Sequence, residues 1–155
     1  MLFLIMLKKF PDSFYKYAIM FIIAAALPFA GRAQVAKDPH SIVFIENSWD
    51  EALRQAALQN KYIFVDAYAS WCGPCMLLKS TTFRNKKVAD FYNQHFINVS
   101  IDMEKGEGPK LSEIWGIQAY PTMIIFDAKG NAILGTAGYM GASDLLKFGQ
   151  QGLDK

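Results

Sequence analysis

The chain has 155 residues, of which 52% are hydrophobic and 19% are charged, so it can bury the core of one ordinary globular domain but not of two. Its 16 basic and 14 acidic residues give a formal net charge of +2, but four of the basic residues and one acidic residue lie within the first 33 positions. The remaining chain therefore has 12 basic and 13 acidic residues and a net charge of −1. This balance excludes the basic surface that nucleic acids and acidic membranes require.

The first 33 residues have the composition of a secretory signal peptide. Three lysines precede a 13-residue apolar run, Ala18–Ala30, and small residues then lead to Ala33. This order predicts a signal peptide over residues 1–33, cleaved after Ala33, and one domain over residues 34–155 in the periplasm or another exported location. The alternative is an uncleaved membrane anchor facing the periplasm, although the apolar run is shorter than the roughly 20 residues that span a bilayer.

After a short lead-in over residues 34–40, the domain is predicted to begin with a strand and a helix. Ile42–Ile45 is an apolar, β-branched run that is typical of a strand. Ser48 and Glu51 have the spacing of a capping box, so a helix is predicted to begin there and to continue to about Gln59.

The next segment, Tyr62–Tyr68, is apolar on both faces apart from Asp66, which is typical of a strand in the middle of a sheet covered by helices on both sides. The sequence Cys-Gly-Pro-Cys at residues 72–75 follows at once, so it is predicted at the junction between this strand and a helix. The later elements are predicted as a helix at Asn85–Gln94, a strand at Phe96–Ile101, a helix at Pro109–Trp115, a hairpin of strands at Thr122–Phe126 and Ala132–Thr136, and a helix at Ser143–Gln150.

This order of elements predicts an α/β fold with a central mixed β-sheet flanked by helices. The first strands need right-handed parallel crossovers, because they are joined through helices. The hairpin adds antiparallel strands at one side of the sheet.

The chain contains only two cysteines, Cys72 and Cys75, and they are three positions apart. A disulfide across so short a loop constrains little, so the pair is predicted to serve chemistry rather than stability. Half of a zinc site is the alternative, but structural zinc needs four ligands and only His40 and His95 remain. Both histidines are therefore assigned to surface or loop positions, and no metal site is predicted.

Disulfide exchange requires an accessible thiolate and a second cysteine that resolves the mixed disulfide. Cys72 is predicted at the N-terminus of the helix, where unpaired N–H groups and the helix dipole favour its thiolate. Cys75 would lie one turn further in, would be more buried and would act second. Pro74 suits the first turn because it has no N–H group to leave unpaired.

Two segments give the chain a resemblance to a known family. Residues 65–75, Val-Asp-Ala-Tyr-Ala-Ser-Trp-Cys-Gly-Pro-Cys, resemble the active-site segment of thioredoxins, and residues 119–122, Ala-Tyr-Pro-Thr, resemble their cis-proline loop. The resemblance covers residues 42–150 in the order of elements and implies a thioredoxin-like fold. Residues 81–88 look more like exported thioredoxin-like proteins and the C-terminal domain of membrane disulfide reductases than like cytosolic thioredoxin.

The resemblance also implies roles for individual residues. Asp66 would accept or donate the proton of the resolving cysteine, and burial would raise its pKa. Pro121, in the cis form, would place the Tyr120 backbone beside the sulfur atoms, where it could pair with an extended substrate. No cofactor is required, because the disulfide is itself the redox centre. The implied substrate-binding residues are Trp71, Gly73, Pro74, Tyr120 and Pro121.

These roles have structural alternatives. Asp66 could be a hydrogen-bonded structural carboxylate, Pro121 an ordinary turn proline, and Trp71 a residue of the core. Gly138 and Tyr139 occupy the place of a glycine-containing loop on the substrate side of the family's fold, which makes them weaker candidates for substrate contact.

Two positions depart from cytosolic thioredoxin. Met76 follows the second cysteine where a lysine is common, and Asn98 occupies the position where a lysine often neighbours the buried aspartate. We expect the loss of these cations to leave the charged forms of Asp66 and of the thiolate less stabilised.

The predicted function is the reduction of disulfides in exported proteins. The predicted enzyme is a monomer that receives electrons from a membrane disulfide reductase, since the exported compartment is oxidising. The Gly-Pro dipeptide between the cysteines favours reduction, because it resembles reducing members of the family. The alternatives are a disulfide-forming or isomerising enzyme of the same fold, and a non-catalytic module that binds a partner through the cis-proline surface.

Overall fold

The computed structural model describes residues 40–155, so the predicted signal peptide, its cleavage site and the lead-in up to residue 39 lie outside the described residues. None of the helices in the described residues is long and apolar enough to cross a membrane. The elements are β1 (Ile45–Glu46), α1 (Trp49–Gln59), β2 (Tyr62–Tyr68), α2 (Gly73–Ser80), a 3-10 helix (Thr82–Arg84), α3 (Lys86–His95), β3 (Phe96–Asp102), α4 (Gly108–Trp115), β4 (Thr122–Phe126), β5 (Ala132–Ala137) and α5 (Ala142–Leu153).

The five strands of residues 40–155 form one mixed sheet in the order β1-β3-β2-β4-β5. Strands β1, β3 and β2 are parallel, whereas β4 is antiparallel to β2 and β5 is antiparallel to β4. Asp66 on β2 lies opposite Ser100 on β3 and opposite Met123 on β4. The predicted α/β fold, with a mixed sheet and an antiparallel hairpin at one side, is confirmed.

Strand β2 lies in the middle of the sheet and is buried on both faces, as its apolar sequence predicted. On one face, Val65 belongs to a core cluster with Trp49 of α1 and Leu111 of α4. On the other face, Phe64 belongs to a cluster with residues of α2, α3 and α5, and its ring centroid is 4.5 Å from that of Tyr92. This burial from both sides is the main stabilising contribution to the sheet. It also fixes the position of β2, whose C-terminal end leads through a short loop into α2.

The first strand is shorter and begins later than predicted. The Ile42 N–H group donates to the Phe83 carbonyl oxygen at 2.8 Å, and the Val43 N–H group donates to Oδ1 of Asn93 at 2.8 Å, so neither group pairs with a strand. Ile42 is nevertheless buried. The apolar run at residues 42–45 therefore reflects packing into the core more than pairing in the sheet.

The predicted capping box is wrong. Ser48 is the N-cap residue of α1, but its side chain makes no capping hydrogen bond. The Glu51 carboxylate instead accepts hydrogen bonds from Arg54 at 2.7 and 2.6 Å. The Trp49 N–H group is bound by the carboxylate of Glu107, the N-cap residue of α4. A contact between distant parts of the chain therefore replaces the local cap.

The other predicted elements agree closely with the structure. Gly116 ends α4 in the left-handed conformation, with φ 65°, which glycine adopts without steric cost. Asn85 caps α3 by accepting hydrogen bonds from the N–H groups of Lys87 and Val88. Helix α5 is longer than predicted at both ends, Ala142–Leu153 instead of residues 143–150.

Candidate active site

The two cysteines form a disulfide at the junction between β2 and α2, where the sequence predicted the pair. Their sulfur atoms are 2.05 Å apart. Cys72 is the N-cap residue of α2, and its Sγ accepts a hydrogen bond of 3.2 Å from the Cys75 N–H group. Pro74 lies in the first turn of α2, where a residue without an N–H group leaves no donor unpaired.

The two cysteines differ in their access to solvent. Cys72 keeps 3% of its surface exposed and Cys75 keeps none, while Gly73 and Pro74 between them are exposed. A partner that approaches this surface therefore reaches the Sγ of Cys72 first. In the reduced form, the N-terminal position of Cys72 on α2 favours its thiolate.

A second loop packs against the disulfide. The Tyr120–Pro121 peptide bond is cis, as the resemblance implied, and Tyr120 packs against the cluster formed by Ala69, Cys72 and Cys75. The Pro121 carbonyl oxygen accepts a hydrogen bond of 2.7 Å from the Gly138 N–H group. Gly138 has φ 103°, a backbone conformation that favours glycine. The loop after β5 is thus hydrogen-bonded to the cis-proline loop and supports its conformation.

Trp71 lies on the surface, so the alternative that placed it in the core is wrong. Its side chain is 70% exposed, and its ring lies edge-on to Tyr120 with the centroids 6.0 Å apart. The indole Nε1 donates a hydrogen bond of 2.8 Å to Oε2 of Glu104. The sequence pattern did not predict Glu104 as part of this site, because the contact spans 33 residues and depends on the fold.

Asp66 is a buried carboxylate on β2. It is 1% exposed, and its Oδ2 accepts a hydrogen bond of 2.8 Å from the Ser100 hydroxyl, whereas its Oδ1 has no hydrogen-bond partner. Burial raises the pKa of Asp66 to about 6, and the nearby Lys79 ammonium and the Ser100 hydroxyl partly oppose this effect. The predicted direction of the pKa shift is confirmed. An unpaired oxygen in such a place is costly to maintain, which marks this carboxylate as a candidate for proton transfer.

Asp66 has a cation beside it, but neither position 76 nor position 98 supplies it. The Asn98 side chain donates to Tyr92 O and to Asn93 Oδ1, both at 3.3 Å, and so lies against α3. Lys79 of α2 instead places its Nζ 3.8 Å from Oδ2 of Asp66. The one sequence signal for this contact was that Lys79 lies four residues, or one helical turn, after Cys75.

The histidines do not join the cysteine pair. His95 ends α3, and its ring centroid is 4.8 Å from that of Phe91. His40 lies in a turn at the start of the described residues. Among residues 40–155, no three His, Cys, Asp or Glu side chains are grouped so that they could hold a metal ion.

Comparison with known proteins agrees with this geometry. A family model described as a thioredoxin-like domain matches residues 49–153. The chain belongs to the thioredoxin-like family. This thioredoxin-like chain is 40% identical to a Bacteroides thetaiotaomicron protein of known solution structure, provisionally assigned as a disulphide-isomerase. The match has a TM-score of 0.67 and covers 75% of this chain and 96% of that one.

Two further relatives are named for thiol chemistry. The thiol:disulfide interchange protein DsbD of Pseudoalteromonas atlantica is 26% identical over 142 residues, which cover 90% of this chain and 24% of that protein. The thioredoxin of Chlorobaculum thiosulfatiphilum is 35% identical over 75 residues, or 48% of this chain and 63% of that one. The chain thus spans about a quarter of the interchange protein. It has the fold and the cysteine pair of a thiol:disulfide oxidoreductase of the thioredoxin and DsbD type.

Proposed function

We propose that this protein is an exported thiol:disulfide oxidoreductase that reduces disulfides in other exported proteins. The observation that supports it most strongly is the placement of the cysteine pair. Cys72 caps the N-terminus of α2 and keeps 3% of its surface exposed, whereas Cys75, one turn further along, is fully buried. This is the arrangement that an attacking thiolate and a resolving thiol need.

The exchange has two steps. The Cys72 thiolate attacks one sulfur of the substrate disulfide, the substrate S–S bond breaks, and the other substrate sulfur leaves as a thiolate that takes up a proton from water. Cys75 then loses its proton and attacks the Cys72 sulfur, which releases the second substrate sulfur as a thiolate. The substrate has gained two electrons, and the Cys72–Cys75 pair has lost them as its disulfide forms.

Asp66 is the proposed acceptor of the Cys75 proton, directly or through a water molecule. A carboxyl with a pKa of about 6 is mostly ionised at neutral pH, and it can still hold a proton long enough to return it to solvent. Its Oδ1 has no other hydrogen-bond partner. The support for this role is that Lys79, which lies one turn after Cys75 on the same helix, has its Nζ 3.8 Å from Oδ2 of Asp66.

The substrate is proposed to bind as an extended segment along the cis-proline loop. The surface next to Cys72 is formed by loops that meet there from separate parts of the fold, and Tyr120 packs against the cysteines. A main-chain group of Tyr120 can pair with a peptide in the manner of an added strand. The proposed contact residues are Trp71, Gly73, Pro74, Tyr120 and Pro121.

Export and the electron donor complete the proposal. The apolar leader at residues 1–33 is proposed to direct the chain to the periplasm and to be removed after Ala33, and mass spectrometry of the exported protein tests this cleavage. A mass that includes the leader would favour the anchored alternative. In an oxidising compartment the protein would act as a monomer re-reduced by a membrane disulfide reductase. The resemblance of residues 81–88 to the terminal domain of such reductases supports this donor.

The reductive direction is tested by the equilibrium reduction potential of the Cys72–Cys75 pair. The purified protein is titrated against glutathione and dithiothreitol buffers, and the fraction of disulfide is read by mass spectrometry after alkylation. A pair more reducing than glutathione is the expected result. A pair more oxidising than glutathione would contradict the reductive direction.

An isomerase is the second candidate, because the Bacteroides thetaiotaomicron relative carries that provisional assignment at 40% identity. An isomerase must attack wrong disulfides and then release the substrate for another pairing. Reactivation of a small enzyme with scrambled disulfides, measured with protein that is reduced at the start and without other thiols, separates the two candidates. Recovery of activity favours isomerisation, whereas complete reduction of the scrambled enzyme favours the reductase.

A further inference from the structure

We propose that Lys79 is the positioning residue for the second step of exchange, in which it holds the Asp66 carboxylate in its charged form beneath the helix that bears Cys75. The Tyr68 ring holds the Lys79 ammonium in this place. This inference rests on the proposed function and deepens it, because it assigns a residue that acts through Asp66 rather than on the substrate.

The geometry sets Lys79 apart from the other ion-paired lysines of residues 40–155. Its Nζ lies 3.8 Å from Oδ2 of Asp66 and 3.3 Å from the centroid of the Tyr68 ring. The Lys79 side chain is 29% exposed, whereas Lys86, Lys105 and Lys147, which form the other lysine ion pairs, are 65 to 72% exposed. A partly buried ammonium is less screened by water and salt, so its interaction with a buried carboxylate is stronger than that of a surface pair.

The local structure explains why this lysine meets these two groups. Asp66 and Tyr68 are two residues apart on β2, so their side chains leave the strand on the same face. Lys79 lies one turn after Cys75 on α2, so both side chains lie on one side of that helix. The Lys79 ammonium therefore lies within reach of both the carboxylate and the ring.

Three elements present charged or polar groups to Asp66. Lys79 of α2 and the Ser100 hydroxyl of β3 favour the charged carboxylate, whereas Glu46 of β1 disfavours it. Burial is the largest effect and also favours the neutral form. Lys79 is thus the cation that keeps the pKa of Asp66 near 6 instead of higher. Asp66 can then accept a proton from the Cys75 thiol at neutral pH.

The proposal predicts what happens when the cation is removed. Loss of an opposite charge at this distance raises the pKa of a carboxyl by about one unit or more. With its pKa about one unit above 6, roughly half of the Asp66 carboxyl groups would be protonated at neutral pH. Fewer molecules could then take the Cys75 proton, and the second step of exchange would slow.

The test compares Lys79→Met, Lys79→Arg and the control Lys147→Met, which removes the same charge from the exposed face of α5. The carboxyl carbon of Asp66 is titrated by NMR in the disulfide form of each protein, and Asp66→Asn identifies its signal. We expect the midpoint to rise by about one pH unit in Lys79→Met and to stay within a few tenths of a unit in the other two variants. Lys79→Arg keeps the charge, so it separates an electrostatic role from a role of the side chain in packing.

The release of substrate from a preformed mixed disulfide on Cys72 is measured over the same pH range. In Lys79→Met, the acidic limb of this pH–rate profile is expected to move to higher pH together with the carboxyl midpoint. In Lys79→Arg and Lys147→Met it is expected to remain in place. An unshifted carboxyl midpoint in Lys79→Met, an equal shift in Lys147→Met, or an unshifted rate profile would overturn the role of Lys79. Absence of any exchange in the wild-type protein would instead overturn the proposed function, so the two failures are distinguishable.

Discussion

The indole Nε1 of Trp71 donates a hydrogen bond of 2.8 Å to Oε2 of Glu104, and this bond ties the rim of the disulfide site to the loop after β3. That loop is itself held at its start. The Asp102 carboxylate accepts hydrogen bonds from the Glu104 N–H group at 3.1 Å and from the Lys105 ammonium at 2.8 Å. The orientation of the exposed Trp71 ring is therefore set by residues of the loop after β3.

Replacing Glu104 tests whether this orientation matters for substrate binding. We expect Glu104→Ala to free the indole, to move its Nε1–H signal in NMR spectra and to raise KM about fivefold, the effect of about 1 kcal/mol of lost hydrogen bonding. Glu104→Gln keeps an acceptor oxygen and should lie closer to the wild type, and Glu113→Ala, an exposed change on α4, serves as the control. An unchanged Trp71 signal in Glu104→Ala, identified with Trp71→Phe, would contradict the structure.

The raised pKa of Asp66 predicts that this residue destabilises the folded protein as the pH rises towards neutrality. Its pKa is raised from 3.8 to about 6 by burial, so the folded protein holds this proton more tightly than the unfolded chain does. The stabilising contribution of the protonated group is fully present below about pH 3.8 and is lost as the pH rises to about 6. The loss amounts to roughly 3 kcal/mol at most, since each unit of pKa shift corresponds to about 1.4 kcal/mol.

Asp66→Asn should therefore be more stable than the wild type at pH 7 and similar to it at pH 4. The asparagine oxygen can still accept the hydrogen bond from Ser100, and no buried charge has to form. Urea unfolding of the disulfide forms at the two pH values measures the difference, with the exposed Asp50→Asn as the matched control. Parallel stability curves for wild type and Asp66→Asn across this range would refute a raised pKa at Asp66.

Gly108 is predicted to be irreplaceable for a steric reason. A Cβ atom at this position would lie 2.1 Å from the backbone oxygen of Asp102, which cannot move aside as a flexible side chain can. Gly108→Ala should lower the free energy of unfolding by about 2 kcal/mol or more. Gly135→Ala is the control, because its Cβ would meet atoms of Ile124 and Met123 at an ordinary 3.9 Å. Equal stability of the two variants would contradict the close approach of α4 to the end of β3.

Much of the fold could be predicted from local pattern. The start of β2 follows from an apolar run that begins after Asn60 and Lys61, and the end of α4 follows from Gly116. The position of the cysteine pair followed from the strand that precedes it. These features depend on residues that are close in sequence, so their signal survives without knowledge of the tertiary contacts.

The features that were missed depend on distant residues. The N-terminus of α1 is capped by Glu107, 58 residues from its partner Trp49, which a local capping rule cannot detect. The start of β1 was predicted too early because Ile42 is buried in the core without pairing in the sheet. An apolar side chain gives the same sequence signal whether or not its backbone pairs with another strand. Lys79 and Glu104 were missed for the same reason, because neither residue is near its partner in sequence.

The order in which the two cysteines act can be measured directly by trapping the mixed disulfide. Reduced Cys75→Ser and Cys72→Ser proteins are each mixed with a disulfide-bonded peptide, and adducts are identified by mass spectrometry without added reductant. We expect a lasting adduct through Cys72 in the Cys75→Ser protein and little or none in Cys72→Ser, because Cys75 is fully buried. An adduct that forms equally fast through Cys75, or no adduct in either protein, would contradict this expectation.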